Sequence, residues 1–246
     1  DRTRWRYSAA QAETMTAGFS AENQLLALGF DGQWTDRNVR ITNPNNSNFW
    51  ITSLNRVQQQ RLGLFAELRQ QLGALTVELG GRYDFHRSQM ADPMVGSAVP
   101  AMVANLAQQV SQNNAALRNE TGDIVLRMWS DHGAVKPRLT LAFKQRVPNA
   151  VERHSWMPTE ASGGLADGNI YVGDANLRPE KAWIAEAGVD IVQGALRWRP
   201  SIFYRRIDDY VQGVPVPDSM MAVQMIAGMN GDTTPLIFAN VDAQLY

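Results

Sequence analysis

Apolar and polar residues alternate at every second position through several stretches of this chain. Between residues 75 and 85, one phase carries Leu75, Val77, Leu79, Gly81, Tyr83 and Phe85, and the other carries Thr76, Glu78, Gly80, Arg82 and Asp84. Stretches 181–191 and 196–205 repeat the pattern, with Ile184 and Phe203 out of phase. Successive strand side chains point to opposite faces, so each stretch predicts a strand with one apolar and one charged face. A barrel wall between lipid and a water-filled lumen has this arrangement, which indicates transport across an outer membrane.

The spacing of the stretches predicts an all-β fold. We expect an antiparallel up-and-down transmembrane β-barrel, present in part as about ten strands of a larger barrel, with all of 1–246 in one barrel domain. The predicted strands are 2–8, 13–20, 24–34, 56–69, 74–87, 120–129, 136–147, 180–191, 195–211 and 236–246. Short connections are predicted near 9–12, 21–23, 70–73, 130–135 and 192–194, and long extracellular loops at 35–55, 88–119, 148–179 and 212–235. The alternative is a soluble β-sandwich, whose strands are usually shorter.

Composition narrows the classes of function. The 246 residues hold 23 basic and 24 acidic side chains, a balance that does not predict a nucleic-acid surface. Without cysteine, disulfides and thiolate metal sites are excluded. No apolar run approaches the ~18 residues of a membrane helix, whereas a transmembrane strand needs only about 9–11 residues. Because the sequence starts at Asp1 without a signal peptide, we expect a segment of a longer precursor that is insoluble without the rest of the barrel.

The residue composition of two predicted loops indicates their local structure. Segment 98–117 contains no glycine and spaces Val99, Met102, Val103, Leu106 and Val110 at helical intervals, so it predicts a helix within an extracellular loop. Segment 160–178 is rich in Gly, Asp and Asn, which predicts irregular structure.

Soft donor side chains gather in the predicted loops. Of ten methionines, all but Met15 and Met128 fall there, and thioethers select Cu(I) while imidazole suits copper in either oxidation state. The candidate metal ligands form three groups: His86, Met90 and Met94; His154 and Met157; and Met220, Met221, Met225 and Met229. The last group has i, i+4 spacing from 221 to 229, on one face of a short helix. The alternative is packing, because methionine fills irregular gaps. His132 falls in a short turn and is expected to be solvated.

The polar phase of the predicted strands carries many charges of both signs. It includes Arg61, Glu67, Arg69, Glu78, Arg82, Asp84, Arg127, Arg138, Lys144, Arg146, Glu186, Asp190, Arg197, Arg199 and Arg205. We expect these side chains to form cross-strand ion pairs on the lumen wall. No nucleophile with a base, phosphate-binding loop or zinc spacing accompanies them, so the sequence does not predict an enzyme.

Four segments resemble TonB-dependent outer-membrane receptors. They are residues 61–87, 144–153, 176–188 and 238–242, in the order that the family has them. The first is similar to a family hairpin through Phe65, Ala66, Gly81, Arg82, Tyr83 and Asp84, and the second to an "R-x-P…E-R" segment through Arg146, Pro148, Glu152 and Arg153. The third is similar to an "N-L-x-P-E…E-x-G" motif, the most specific of the set, and the fourth to the strand start that precedes the last strands.

The resemblance implies an energised importer. Its barrel has about 22 strands and is plugged by an N-terminal domain, which the TonB complex pulls at the expense of the inner-membrane proton gradient. The plug domain is absent from this chain, so contact with the TonB complex is implied through a domain that lies elsewhere. The resemblance also implies a bacterial outer-membrane location, outer-membrane lipid as surroundings, and a metal ion or metal chelate as ligand. Neither a nucleic-acid partner nor a resident cofactor is expected.

Residues 152–180 are also similar to a loop of the TonB-dependent copper receptors, "GGLADGxxYxGxxxLxPE". The matching positions are Gly163, Gly164, Leu165, Ala166, Asp167, Gly168, Tyr171, Gly173, Leu177, Pro179 and Glu180. This resemblance implies a transported copper ion, whose tight ligands come partly from the plug. We therefore expect His154 and Met157 to complete a site with the plug, and the methionines at 220–229 to act as an extracellular lure. A siderophore or other metal-chelate receptor of the same fold, binding through loop aromatics and arginines, and a passive porin-like barrel are the alternatives.

Overall fold

The computed structural model describes residues 7–159 and 169–245, and within these ranges the chain forms an 11-stranded sheet. The strands are β1 (Tyr7–Glu22), β2 (Leu26–Asn43), β3 (Asn46–Leu72), β4 (Leu75–Gln89), β5 (Leu117–Ser130), β6 (Val135–Arg146), β7 (Tyr171–Val172), β8 (Glu180–Gln193), β9 (Leu196–Trp198), β10 (Ser201–Pro215) and β11 (Leu236–Leu245). The helices are α1 (Ala101–Gln112), α2 (Ala150–His154) and α3 (Met221–Met229), with a 3₁₀ turn at Asp218–Met220. No helix in the described ranges is long and apolar enough to cross a membrane.

Neighbours in the sheet follow the order of the chain, which makes the sheet a meander. The order is β1-β2-β3-β4-β5-β6-β8-β10-β11-β7, with β9 paired to β8. Neighbouring strands are antiparallel except β11 and β7, which pair in parallel through Leu236 opposite Tyr171. The described strands do not close into a ring, because β1 pairs only with β2. The predicted all-β, antiparallel, partial barrel is therefore confirmed.

Strand β4 shows how the alternation sorts side chains between two faces. Leu79, Tyr83 and Phe85 are exposed on its outer face, whereas Glu78 and Asp84 are buried on the other. The register to β5 continues the sorting, with Leu79 opposite Leu126 and Glu78 opposite Arg127. The sheet thus carries apolar groups outside and charged groups inside, as the pattern predicts, and we call it the wall.

The main apolar core lies at one end of the sheet, between the ends of β2 and β3 and the long connections. Its buried members are Val39, Ile41, Ile51, Leu54, Val57, Met90, Val99, Val103, Leu106, Ala107, Ala150, Trp156, Met157, Val172, Val216, Val223 and Ile226. We call the segments that build it the cap, which comprises residues 39–57, 90–116, 147–159, 169–179 and 216–235. Polar contacts join these segments, since Trp156 Nε1 donates to the Thr52 carbonyl at 3.0 Å and Asn230 Nδ2 donates to the Pro158 carbonyl at 2.9 Å.

Apart from the turn at Pro44 and Asn45, the short turns lie at the ends of the strands away from the cap. Gly73, between β3 and β4, and Gly194, between β8 and β9, have φ angles of +62° and +60°, in the left-handed region that glycine adopts without strain. The predicted short connections near 21–23, 70–73, 130–135 and 192–194 are confirmed. The exposed position of His132 in the β5–β6 turn is confirmed as well.

Two predictions in the first quarter of the chain are wrong. Strand β1 runs without a break through 9–12, in continuous register with β2, so the predicted separation of 2–8 from 13–20 does not occur within the described residues, which begin at 7. The predicted loop 35–55 is instead a continuation of β2 and β3, which turn only at Pro44 and Asn45. Ile41 stands opposite Ile51 there, and both are buried in the cap core. These strand ends extend beyond the wall because the cap, not lipid, covers their apolar residues.

Smaller corrections concern the ends of elements. The predicted strand 195–211 is interrupted at Arg199 and Pro200, because proline has no N–H to donate to a ladder. The helix predicted at 98–117 is shorter, since it starts after Pro100 and its C-cap is Asn113. Within the segment predicted to be irregular, residues 160–168 lie outside the described residues, and so do the matched positions Gly163–Gly168 of the copper-receptor motif.

Candidate functional site

His154 lies at the C-terminal end of α2, a helix whose start is fixed by its sequence. The Asn149 side chain accepts hydrogen bonds from backbone N–H groups of the first turn, and Glu152 accepts one from the Asn149 N–H at 2.7 Å, which forms a capping box. The His154 imidazole is buried, with its Nε2 2.8 Å from Ser88 Oγ. Burial, and next the charge of Arg153, lower the pKa of His154 to about 4. The ring is therefore neutral at neutral pH, the form in which imidazole binds a metal.

Met90 lines the same cavity as His154. The cavity has a volume of about 280 Å³, and its lining also includes Leu106, Val110, Asn114 and Trp156. Met90 is itself buried in the cap core. A thioether and a neutral imidazole thus lie at one cavity, a donor combination that suits copper.

His86 and Met94, which the sequence groups with Met90, lie elsewhere. His86 is on the lumen-facing side of β4, where its Nε2 is 3.2 Å from Thr121 Oγ1. Met94 is exposed, and its backbone carbonyl accepts a hydrogen bond from the Thr52 N–H at 2.9 Å. Neither residue lines the cavity of Met90. The structure therefore divides this predicted group among three environments.

Met157 and Met229 line a second cavity, also of about 280 Å³. The remaining lining is mostly apolar and comprises Ile41, Phe49, Ile51, Pro100, Val103, Thr159, Ile226 and Asn230. Met157 is buried, and it does not line the cavity of His154, the residue with which the sequence pairs it. The structure thus brings together methionines that the sequence assigns to different groups.

Helix α3 has the methionine face that the i, i+4 spacing predicts. Met221, Met225 and Met229 are 65%, 51% and 52% exposed. The opposite face buries Val223, Ile226 and Ala227 in the cap, and Met220, just before the helix, packs against the same core. Packing therefore explains Met220, whereas the other three thioethers remain accessible. Within the described ranges, no group of three or more His, Asp or Glu side chains is arranged to hold a metal ion.

Most of the predicted lumen-face charges form ion pairs, chiefly across strands, but Lys144, Glu186, Arg197 and Arg205 form none within 4.0 Å among the described residues. Arg82 joins Asp31 at 2.8 Å and Asp84 at 2.6 Å. A Cβ on Gly63 would lie 1.9 Å from Arg82 Nη2, so glycine leaves the room that this guanidinium occupies. Further pairs join Arg69 and Arg127 with Glu78, Arg138 and Arg199 with Asp190, and Arg146 with Glu152 and Glu180.

A cleft of about 690 Å³ lies between this face of the wall and the start of segment 147–159. Among the described residues, three of its lining arginines, Arg37, Arg87 and Arg153, have no carboxylate within 4.0 Å. Arg153 is buried and donates to Asn119 Oδ1 at 2.6 Å and to the Leu177 carbonyl at 2.7 Å. Burial lowers its pKa. The cleft therefore has an excess of positive charge, which suits an anionic group.

Two residues of this region are missed by sequence reasoning. Ser88 is the partner of His154, and Arg153 forms the buried edge of the cleft. A partial signal exists for Ser88, since it shares the lumen phase of β4 with Asp84 and His86. A partial signal exists for Arg153 as well, since it is the last position of the "R-x-P…E-R" segment, but its burial depends on contacts with β5 and with residue 177, which local spacing does not predict.

An open antiparallel meander with an apolar exterior, an ion-paired interior and a cap of long connections defines a part of an outer-membrane-type barrel. A family model described as "TonB dependent receptor-like, beta-barrel" matches residues 1–244. The chain belongs to this family of TonB-dependent receptors. No curated protein sequence matches the chain.

Several solved structures share the fold. The copper transporter OprC superposes with a TM-score of 0.63 at 16% identity, covering 96% of this chain and 34% of that one. The FrpB iron transporter of Neisseria meningitidis gives 0.55 at 13% identity, covering 95% and 31%. The hemophore receptor HasR of Serratia marcescens, in complex with its hemophore HasA and heme, gives 0.52 at 13%, covering 99% and 46%. This chain thus spans about a third of the length of the first two, and identities this low show the fold alone.

Proposed function

We propose that this chain is part of a TonB-coupled importer of the bacterial outer membrane that takes up a scarce metal, with copper as the favoured cargo. The observation that carries the proposal is the methionine face of α3, which is exposed rather than packed and includes Met229, a lining residue of the Met157 cavity. Thioethers are soft, neutral donors that select Cu(I) and need no deprotonation to bind it.

The two cavities suggest how the roles are divided. Met221 and Met225 lie on the open side of α3 and would collect the ion, while Met157 and Met229 would hold it at the adjoining cavity. Met90 and the neutral His154 offer a second soft donor pair deeper in the cap. In this proposal the plug domain, outside this chain, supplies further ligands and receives energy from the TonB complex.

The apolar outer face of the wall supports the proposed location in the outer membrane. Its exposed outer face includes Leu62, Leu64, Leu79 and Phe85, which we propose contact outer-membrane lipid. Outer-membrane barrels place their short turns in the periplasm and their longer loops outside the cell. The cap would then face the external medium, where the metal is captured.

A receptor for a siderophore or another metal chelate is the second candidate. The cleft favours it, because Arg37 and Arg153 lack a carboxylate partner among the described residues and an anionic chelate would supply one. Under this alternative the methionines of α3 would have no part in recognition.

Uptake by cells distinguishes the candidates. Cells in which this receptor is the main route should accumulate copper at limiting concentration, and loss of TonB or of the proton gradient should abolish the accumulation. Changing Met221, Met225 and Met229 to Leu should reduce copper uptake, because the soft donors are lost while volume is kept. The matched control changes Met15 and Met128, which lie on strands of the wall, to Leu. Uptake of ferric chelates only would contradict the copper proposal, and uptake independent of the proton gradient would contradict the importer.

A further inference from the structure

Two arginines face each other on the outer surface of the wall. Arg87 of β4 stands directly opposite Arg118 of β5, and both side chains are exposed in the phase that carries Tyr83 and Phe85. Like charges directly opposite in an antiparallel pair destabilise a sheet. In the part of the chain that the structure describes, the only side-chain hydrogen bond of Arg87 runs to Gln89 Oε1, at 3.3 Å, and Arg118 has no ion pair.

The pair lies at the edge of the apolar exterior. On β4 the outward positions from Leu75 to Phe85 are apolar or small, a length close to the about 9–11 residues that a tilted strand needs to cross a membrane. Arg87 is the next outward residue, on the side of the cap. A groove of about 390 Å³ covers this edge, and its lining includes Gln60, Leu62, Phe85, Arg87, Arg118 and Glu120. Leu62 and Phe85 form the apolar end of the groove, with Glu120 beside Phe85 on the same rung, and Arg87 and Arg118 form the cationic end on the rung nearer the cap.

Neighbouring carboxylates do not neutralise the arginines. Glu120 accepts a hydrogen bond from the Tyr83 hydroxyl at 2.5 Å and forms no ion pair within 4.0 Å among the described residues. Asp36, farther toward the cap, accepts from Gln58 Nε2 at 3.1 Å and lies 3.5 Å from Arg56 Nη2. A positive surplus thus remains at the rim of the apolar surface.

We propose that Arg87 and Arg118 bind the phosphate of a lipid headgroup in the outer leaflet, with an acyl chain lying along Leu62 and Phe85. Guanidinium groups bind phosphate through paired, charge-assisted hydrogen bonds. An anion between the two arginines removes their repulsion, and the apolar end of the groove matches a hydrocarbon tail, which a free phosphate lacks. The inference rests on the proposed outer-membrane location but not on the identity of the transported ligand.

Lipid binding to the receptor purified from outer membranes in a neutral detergent tests the proposal. The probes are lipid A with its phosphates, the same lipid after enzymatic dephosphorylation, and inorganic phosphate. We expect phosphorylated lipid A to bind about tenfold more tightly to the wild type than to the double variant Arg87→Gln with Arg118→Gln. The matched control is Arg197→Gln, an exposed arginine on β9 near the short-turn end, which should bind as the wild type does.

Thermal unfolding without lipid separates this role from a structural one. Because the substitution removes a like-charge pair, the double glutamine variant should melt at the same temperature as the wild type or above it, and only added lipid A should stabilise the wild type more. Millimolar inorganic phosphate should not displace the lipid. Equal lipid affinity of the double variant and the wild type would overturn the proposal, as would equal binding of dephosphorylated lipid. If cells fail to take up copper but phosphorylated lipid A binds the wild type more tightly than the double variant, the proposed copper cargo is wrong and the lipid site at Arg87 and Arg118 is supported.

Discussion

The wall and the cap bury opposite kinds of side chain. In the wall, Glu78 and Asp84 are buried on the lumen face while Leu64 is exposed, whereas in the cap Ile51 and Val57 are buried. β2 and β3 run from the wall into the cap, but burial stops alternating there, because residues 51–55 are all buried and the pairing of the two strands shifts register between Arg37 and Arg40. Alternation of burial therefore marks the part of a strand that lies between two unlike media, and it ends where the cap covers both faces.

The two regions are also stabilised by different interactions. Burial of apolar surface, worth roughly 25 cal/mol per Å², holds the cap together. The lumen face of the wall depends on ladder hydrogen bonds and on ion pairs such as those of Arg82 with Asp31 and Asp84. The same type of substitution should therefore change the free energy of unfolding by different amounts in the wall and in the cap.

Truncation of a large aliphatic residue should give the largest contrast. Ile51 is 1% exposed and Leu64 is 53% exposed. We expect Ile51→Ala to lower the free energy of unfolding of the cap by about 3 kcal/mol, because it leaves a cavity in a packed core. Leu64→Ala should cost less than about 1 kcal/mol, since detergent or lipid fills the space. Hydrogen exchange of 39–57 and of the wall strands measures both effects, and equal losses would contradict the comparison.

Acid should weaken the cap before the wall. The pKa of His154 is about 4 in the folded protein, against 6.5 when unperturbed. As the pH falls below about 6.5 the unfolded chain binds the proton first, so stability is lost progressively down to about pH 4 and amounts to about 2 kcal/mol by pH 5. Above pH 6.5 the residue contributes no pH dependence.

His154→Gln should remove this acid-sensitive component, because glutamine keeps a polar group near Ser88 and does not titrate. His132→Gln, in the exposed β5–β6 turn, should leave it in place and serves as the control. Denaturant unfolding of the cap at pH 7, 6 and 5 provides the measurement. An unchanged slope of stability against pH in His154→Gln would show that burial of this imidazole is not its source.

Neutralising a lumen carboxylate should have a smaller effect. Glu78 lies 2.6 Å from Arg69 and 2.5 Å from Arg127, so Glu78→Gln leaves two arginines near each other without a countercharge. Both arginines are half exposed, and solvent screening limits the expected loss to roughly 1–2 kcal/mol. Glu186→Gln, an exposed lumen-phase carboxylate with no ion pair among the described residues, should cost less than about 0.5 kcal/mol. Thermal unfolding of both variants at low and high salt provides the measurement. Equal shifts of the melting temperature in Glu78→Gln and Glu186→Gln would show that the ion pairs of Glu78 do not stabilise the wall.

Substitution on the open face of α3 should have the smallest effect on stability. Met221→Leu with Met225→Leu keeps apolar volume on exposed positions, so the free energy of unfolding of the cap should stay within about 0.5 kcal/mol of the wild type. Denaturant unfolding checks this expectation. A larger loss would show that these methionines pack against another part of the receptor rather than standing free to bind a ligand.

The strands of the wall were predictable because lipid and lumen impose unlike side chains on the two faces. The turns at Gly73 and Gly194 were predictable for the same reason, since the alternation stops there. The extension of β2 and β3 was not predictable, because Arg40 and Thr42 do not carry lipid-facing apolar side chains, while Val39 and Ile41 on the other phase are buried in the cap.

The candidate site was predictable only in its residue types. Helical spacing gave the methionine face of α3, a local property of nine residues. The grouping of ligands into cavities is a property of tertiary packing, so the meeting of Met157 with Met229, and of Met90 with His154, follows from no local spacing.

Titration of the purified receptor with Cu(I) and Ag(I) tests the central claim that cap thioethers hold the metal. We predict that Met157→Leu with Met229→Leu weakens binding at least about tenfold, while Met15→Leu with Met128→Leu on the wall binds as the wild type does. Affinity should change little between pH 7 and pH 5, because thioethers do not titrate and the pKa of His154 is about 4. Wild-type affinity in the Met157 and Met229 variant would contradict the account, and the cap cavity would then have no part in metal capture.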